Sequence, residues 1–242
     1  MLRPFVPLAL GLSSLLAACA TAPAEHYYSL LPAAALQAGR EPGGTDAAPA
    51  ETGRIGTGRA QPASIGGHYV ISVGPVTVPE QVDRPQIVLV DPASTQVTPL
   101  SGYLWAAALN EEIRAALADD LSRRLGVLDV SSAQAPADVG VWTVGLRVQR
   151  FTSVYGQQAA IQAGWRLTPN RIPGRKPVYC EGMAVAPAGA SVSDLVAGHR
   201  AALSLLGELI ATQIAQGVTA SPRQVGGASG AQALLKGCTA AG

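Results

Sequence analysis

Apolar and polar residues alternate along three consecutive stretches in the second half of the chain. Trp142, Val144, Leu146 and Val148 fall at every second position, with Thr143, Gly145, Arg147 and Gln149 between them. A period of two puts one set on the buried face of a strand and the other on its wetter face. Val139–Thr152 therefore reads as a long strand. Ala159–Leu167 keeps the same period through Ile161, Ala163, Trp165 and Leu167, and Val178–Val185 follows. Tyr155-Gly156-Gln157 and a loop with Pro169, Pro173 and Gly174 separate the three, which predicts an antiparallel meander. Upstream, Tyr69–Val73 reads as a strand that Pro75 bends or ends, and Val76–Val78 continues it. Gln86–Val90 is a dense β segment onto which Gln96–Leu100 folds back as a hairpin, and Tyr27–Leu31 and Leu128–Val130 read as short strands.

Two segments switch to the helical period. From about Tyr103 to Arg124, Leu109, Ile113, Ala116, Leu117 and Leu121 share one face. Acids lie near the start of this segment and arginines at its end, which suits the helix dipole, and Gly126 stops it. From about Val192 to Ala215 the stripe is Leu195, Ala202, Leu203, Leu206, Leu209, Ile210 and Ile214, opened by a Ser191-x-x-Asp194 capping box. Each helix has one apolar stripe, so both are expected on the same face of the sheet. The fold class that follows is α+β: a mixed or antiparallel sheet with two long amphipathic helices packed on one face. Residues 36–67 are rich in Gly, Ala, Pro and Thr without apolar periodicity, and predict a low-complexity, disordered insertion. Residues 68–216 are the expected globular domain, and 217–242 a small, polar tail with one helical turn at Gln232–Lys236.

The N-terminus has a third pattern. Arg3 precedes an apolar run from Phe5 to Leu16, and Leu16-Ala17-Ala18-Cys19 closes it. The run is shorter than the roughly 20 residues a spanning helix requires, and small residues precede the cysteine as a signal peptidase needs. Residues 1–18 are thus expected to be a lipoprotein signal peptide and Cys19 the lipidated residue, carrying diacylglycerol and an N-acyl chain. Three chains would anchor firmly where one would not. Residues 19–35 would form the anchor and first strand. Ala20 stands where an aspartate would retain the protein in the inner membrane, so the periplasmic face of the outer membrane is the expected location.

Charge narrows the partners. With 17 Lys and Arg against 16 Asp and Glu, the 242-residue chain has a net charge of +1 and no basic nucleic-acid footprint. An oxidising periplasm permits a bridge between Cys180 and Cys238; the alternative is two free thiols. The closed loop would contribute about 4 kcal/mol on a chain-entropy basis. No metal spacing links His26, His68 and His199 to one another or to Cys, Asp or Glu, and all three read as surface or structural residues. No G-x-S-x-G elbow, S-x-x-K motif or Walker A lysine is present, and Ser131 and Ser132 have no evident base. The residues support no enzyme, metal or dissociable cofactor. Trp105, Trp142 and Trp165 read as core residues or, alternatively, as the lining of a lipid or protein groove. Asp83 and Arg84, adjacent in a turn, read as a solvated surface pair or as a contact with a partner protein.

The ordered features resemble the ABC-type transport auxiliary lipoproteins of the PqiC-like kind, also described as membrane-integrity-associated transporter subunits. The matching pieces begin with Cys19 and Tyr27-Tyr28-Ser29-Leu30. Ile71-Ser72-Val73-Gly74-Pro75-Val76-Thr77-Val78-Pro79 and Asp83-Arg84-Pro85-Gln86-Ile87-Val88 follow. Trp105-Ala106 before Leu109, Ile113, Leu117 and Leu121, then Arg150-Phe151 and Trp165, complete the series. The resemblance covers roughly residues 19–36 and 68–216. The insertion at 36–67 and the tail past Gly217 depart from it, and Ala106-Ala107-Ala108 replaces a more polar segment. It implies a non-catalytic outer-membrane subunit of an MCE-type intermembrane lipid transport system that supports envelope integrity. Its partners would be a periplasmic MCE-domain protein, through it an inner-membrane permease, outer-membrane phospholipid, and other copies of itself in a ring. The competing expectation is a self-contained periplasmic lipid- or ligand-binding lipoprotein.

Overall fold

The alternating stretches assemble into one large sheet and the helical stripes cover one side of it. The structure, a computed structural model, describes residues 24–32, 69–94, 96–130, 133–217, 222–227 and 230–240. Residues 1–18, Cys19, the 36–67 insertion, His68, Ser131 and Ser132 lie outside them. The strands are β1 (His26–Tyr28), β2 (Tyr69–Thr77), β3 (Gln86–Val90), β4 (Val97–Trp105), β5 (Gly140–Val154), β6 (Gln158–Asn170), β7 (Val178–Pro187), β8 (Arg223–Gly226) and β9 (Gln232–Ala240). The helices are α1 (Leu109–Leu125) and α2 (Val192–Gln216), and a 3₁₀ turn spans Glu80–Val82.

Among the described residues there are two sheets. The larger has the order β2-β5-β6-β7-β9-β8 and the smaller β1-β4-β3. In the larger, β5, β6 and β7 form the expected antiparallel meander, with Leu146 opposite Trp165 and Trp165 opposite Cys180. β2 joins β5 in parallel, and its register shifts between Val73 and Val76, where Pro75 supplies no N–H. The sheet is therefore mixed and the class is α+β, as the two periodicities require.

The inward set of β5 and β6 meets the stripes of both helices in one core that includes Ile71, Val144, Ile161, Trp165, Leu117, Leu121, Leu206 and Ile210. Burying each large apolar side chain contributes about 1.5–3 kcal/mol. α2 starts where its cap lies: the Asp194 amide donates to Ser191 Oγ at 3.0 Å, and the Ser191 hydroxyl donates to the Asp194 carboxylate at 2.7 Å. α1 ends at Gly126, whose φ of 67° closes the last turn in a conformation that costs glycine little. Two buried carboxylates fix α1. Glu112 accepts from the Leu30 amide (2.8 Å) and the Ser29 hydroxyl (2.7 Å), which ties down the segment after β1. Asp120 accepts from Arg124 at 2.7 Å and from Ser204 of α2 at 3.3 Å.

Three expectations are corrected. α1 begins at Leu109, not Tyr103, because residues 97–105 continue the hairpin strand β4. The pairings Val88–Pro99 and Gln86–Leu104 hold that segment extended. The segment 217–242 is not a loose tail. Residues 223–226 and 232–240 add two strands, and the expected helical turn at Gln232–Lys236 is part of β9. Ala233 and Leu235 alternate inward there and pair along β7, which overrides the helix propensity of Ala, Leu and Lys. Leu128–Val130 makes a single bridge to Ile71 rather than a strand.

Candidate functional site

The Asp83-Arg84 turn grows out of the 3₁₀ turn. Val82 is buried and anchors it, and the Asp83 amide donates to the Pro79 carbonyl at 3.1 Å. The Arg84 amide donates to the Val82 carbonyl at 2.9 Å. This leaves both side chains exposed, and they form no ion pair with each other or with another described residue. The next carbonyl, Pro85, accepts from the Trp105 amide at 2.8 Å, and the Ala106 amide donates to the Tyr28 carbonyl at 2.8 Å. Two segments far apart in sequence thus meet at one end of the small sheet. Asp83, Arg84 and Pro85 lie beside Ala106, Ala107 and Ala108, all of them exposed.

β1 runs to the same corner, with Tyr28 opposite Trp105. Its first residue, His26, stacks on Tyr103 with ring centroids 5.3 Å apart. His26 lies seven positions after Cys19, so the fully extended chain can span at most about 25 Å between them. The corner is connected inward as well. Buried Trp105 packs edge-on against Phe151 at 6.0 Å, and Phe151 stacks on His199 of α2 at 3.9 Å.

His199 Nε2 lies 2.8 Å from Ser153 Oγ, a pair that no sequence motif announced because the two residues are 46 positions apart. The arrangement does not fit a nucleophile. The residues are 0% and 1% exposed, no carboxylate orients the ring, and His199 Nδ1 has no partner. Burial pushes the His199 pKa down to about 3, which keeps the ring neutral. Trp142 and Trp165 are also core residues, and Trp165 Nε1 donates to Gln213 Oε1 at 2.8 Å.

Cys180 and Cys238 stand directly opposite each other on β7 and β9 and are joined by a disulfide. The bridge closes 58 positions of chain and ties β9 into the sheet. Nearby, Lys236 donates to Glu181 at 2.8 Å, which together with Gln162 holds that carboxyl below the usual range. A groove of about 530 Å³ runs along the outside of α2, lined by Arg124, Ala197, Ala201, Ser204 and Glu208 among others. Among the described residues there is no cluster of three or more metal-ligating side chains, and no helix is long and apolar enough to cross a membrane.

These features define a small α+β domain with an exposed polar corner and no assembled catalytic group among the described residues. Residues 55–211 match the model of the ABC-type transport auxiliary lipoprotein component family, and the chain belongs to that family. No curated protein matches the chain in sequence. Among solved structures, an uncharacterized protein is similar at 21% identity over 60% of this chain and 92% of its own, with a TM-score of 0.48. A protein from Xanthomonas campestris is 16% identical over 60% of this chain and 84% of its own, also with a TM-score of 0.48.

Proposed function

We propose that this protein is an acyl-anchored outer-membrane subunit of an MCE-type lipid transport system. Cys19 carries the lipid, the domain faces the periplasm, and the corner built by Asp83, Arg84 and Ala106–Ala108 docks a periplasmic MCE-domain protein that leads to an inner-membrane permease. One observation carries this reading: the exposed corner flanks β3 and β4, which form one small sheet with β1, the strand nearest the anchor. Membership of a transport-auxiliary lipoprotein family supports it. A lipid tether raises the effective concentration of the corner towards any partner that reaches the same leaflet. Asp83 and Arg84 offer one acceptor and one donor group with no internal partner to displace. The role needs surface complementarity and no catalysis.

The test is affinity purification of the acylated protein from solubilised envelopes. An MCE-domain protein should co-purify, and palmitate label should be lost in Cys19→Ala. Absence of any MCE-domain protein would overturn the docking role, and persistent label would overturn the anchor. Native mass spectrometry would report whether identical subunits form a ring. The groove along α2 favours a second reading, a self-contained lipid-binding lipoprotein, which a bound lipid mass on the purified domain would support.

A further inference from the structure

The helices cover one face of the six-stranded sheet, and the other face is open to solvent. Its charge is unbalanced. Arg147, Arg150 and Arg166 are exposed on β5 and β6, whereas Glu181 and Lys236 pair with each other, although the whole chain is nearly neutral. Several arginines elsewhere are engaged, although Arg84 and Arg223 are exposed without a bonding partner among the described residues. Arg114, Arg123 and Arg124 bond to carboxylates, and Arg171 to two backbone carbonyls. Arg147, Arg150 and Arg166 differ: all three are exposed on β5 and β6, and none makes a hydrogen bond or ion pair among the described residues.

The register places two of them together. Arg147 is opposite Gly164 and Arg166 is opposite Gly145 on the neighbouring strand, so the arginines are diagonal neighbours across a glycine floor. Like charges at cross-strand distance are destabilising when nothing neutralises them. Interior strand glycines weaken a sheet and mark places where another group approaches closely. Space above Gly145 is open, while the Tyr179 hydroxyl leans over Gly164 so closely that a methyl group there would collide with it. Tyr179 pairs with Arg166 in register. Two guanidinium groups and a phenol therefore border one small patch, whose one neighbouring carboxylate among the described residues, Glu181 opposite Gly164, already accepts from Lys236 and Gln162.

The same face turns apolar towards β7 and β9. Tyr179 is 37% exposed and Leu234 is 38% exposed, with Met183 opposite Leu234 in register. Among the described residues the one carboxylate on this face, Glu181, is neutralised by Lys236. Unpaired arginines beside exposed tyrosine and leucine and a half-buried methionine match a bilayer surface, where phosphates meet the headgroup level that amphipathic rings prefer.

We infer that the open face of the six-stranded sheet, centred on Arg147, Arg166 and Tyr179, is a docking surface for anionic phospholipid headgroups. It deepens the proposed function and rests on that reading only for its setting, since an acyl anchor would hold this face near a leaflet. Guanidinium groups bind phosphate oxygens in bidentate fashion, and Tyr179 can donate a further hydrogen bond.

The test uses residues 20–242, which retain every described residue but lack the acylated cysteine, with sedimentation on vesicles. Binding is expected on phosphatidylcholine vesicles containing phosphatidylglycerol and not on phosphatidylcholine alone, and high salt should abolish it. The Arg147→Gln/Arg166→Gln pair should weaken it about 30-fold while thermal stability stays constant or rises. Three results would overturn the inference: no binding to the anionic vesicles, equal binding to both vesicle types, or undiminished binding by the arginine pair. A fourth, capture of soluble polyglutamate through the same arginines without vesicle binding, would assign the face to an acidic protein instead. No MCE-domain protein is present, so a failure here is distinguishable from a failure of docking.

Discussion

The two sheets divide the work of the molecule. The six-stranded sheet is long-stranded and covered by two helices, with its last strand covalently bridged to β7. The three-stranded sheet starts with a three-residue strand, and its Asp83–Arg84 turn and the adjoining Ala106–Ala108 segment hold exposed side chains. Short sheets of few strands depend on what they pack against. Here that support comes from Ile87, Val88 and Trp105 in the shared core, the last against Phe151, and from Glu112 receiving Ser29 and Leu30. The larger sheet holds most of the buried core and the disulfide, while the smaller carries the proposed docking corner, as expected if a binding region is drawn from the less stable part of a fold.

The contrast breaks most severely at Trp165. It is fully buried, spans the helix–sheet core and donates to Gln213. Trp165→Ala should cost about 3–5 kcal/mol, read from urea unfolding, and should loosen both sheets. Cys180→Ser/Cys238→Ser comes next. Loss of the bridge should cost about 2–4 kcal/mol, and thiol titration of the native protein under denaturing, non-reducing conditions should find neither cysteine free.

The pH dependence tests the junction between the regions. His199 keeps a folded pKa of about 3 against an ordinary value near 6.5, so the unfolded chain binds the extra proton between those limits. Stability is complete above about pH 6.5 and falls as pH drops towards 3, by about 2 kcal/mol at pH 5. His199→Phe should remove that loss, and an unchanged acid slope would contradict the assignment. A smaller, local effect is expected from Glu112→Gln. Weakening the bonds from Leu30 and Ser29 should cost about 1–2 kcal/mol. Hydrogen exchange should quicken around Leu30 and leave the β5–β7 meander unchanged.

Much of the larger region was legible in the sequence because one physical cause dominates it. The period of two in β5, β6 and β7 and the stripe of α2 reflect burial on one face, and both survive into the structure with nearly the expected limits. Legibility failed where a partner strand, not the local pattern, decides. Tyr103, Leu104 and Trp105 continue the helical period of α1, and Ala108 offers no capping side chain to mark its true start. Pairing with β3 and β1 holds them extended. Residues 232–236 carry helix-forming side chains yet lie in register with β7. At the candidate site, the sequence displayed Asp83 and Arg84 but could not show that Ala106–Ala108 lies beside them, because the link is the pairing of β3 with β4 and one backbone hydrogen bond from Trp105 to Pro85. The Ser153–His199 pair was hidden for the same reason of distance along the chain.

The most direct measurement is co-purification from solubilised envelopes with the acylated protein and its Asp83→Ala/Arg84→Ala variant, side by side. The expected result is an MCE-domain protein retained by the native protein and lost from the variant, while the melting temperatures of the two agree. Equal retention by both, or retention by neither, would contradict docking through this corner.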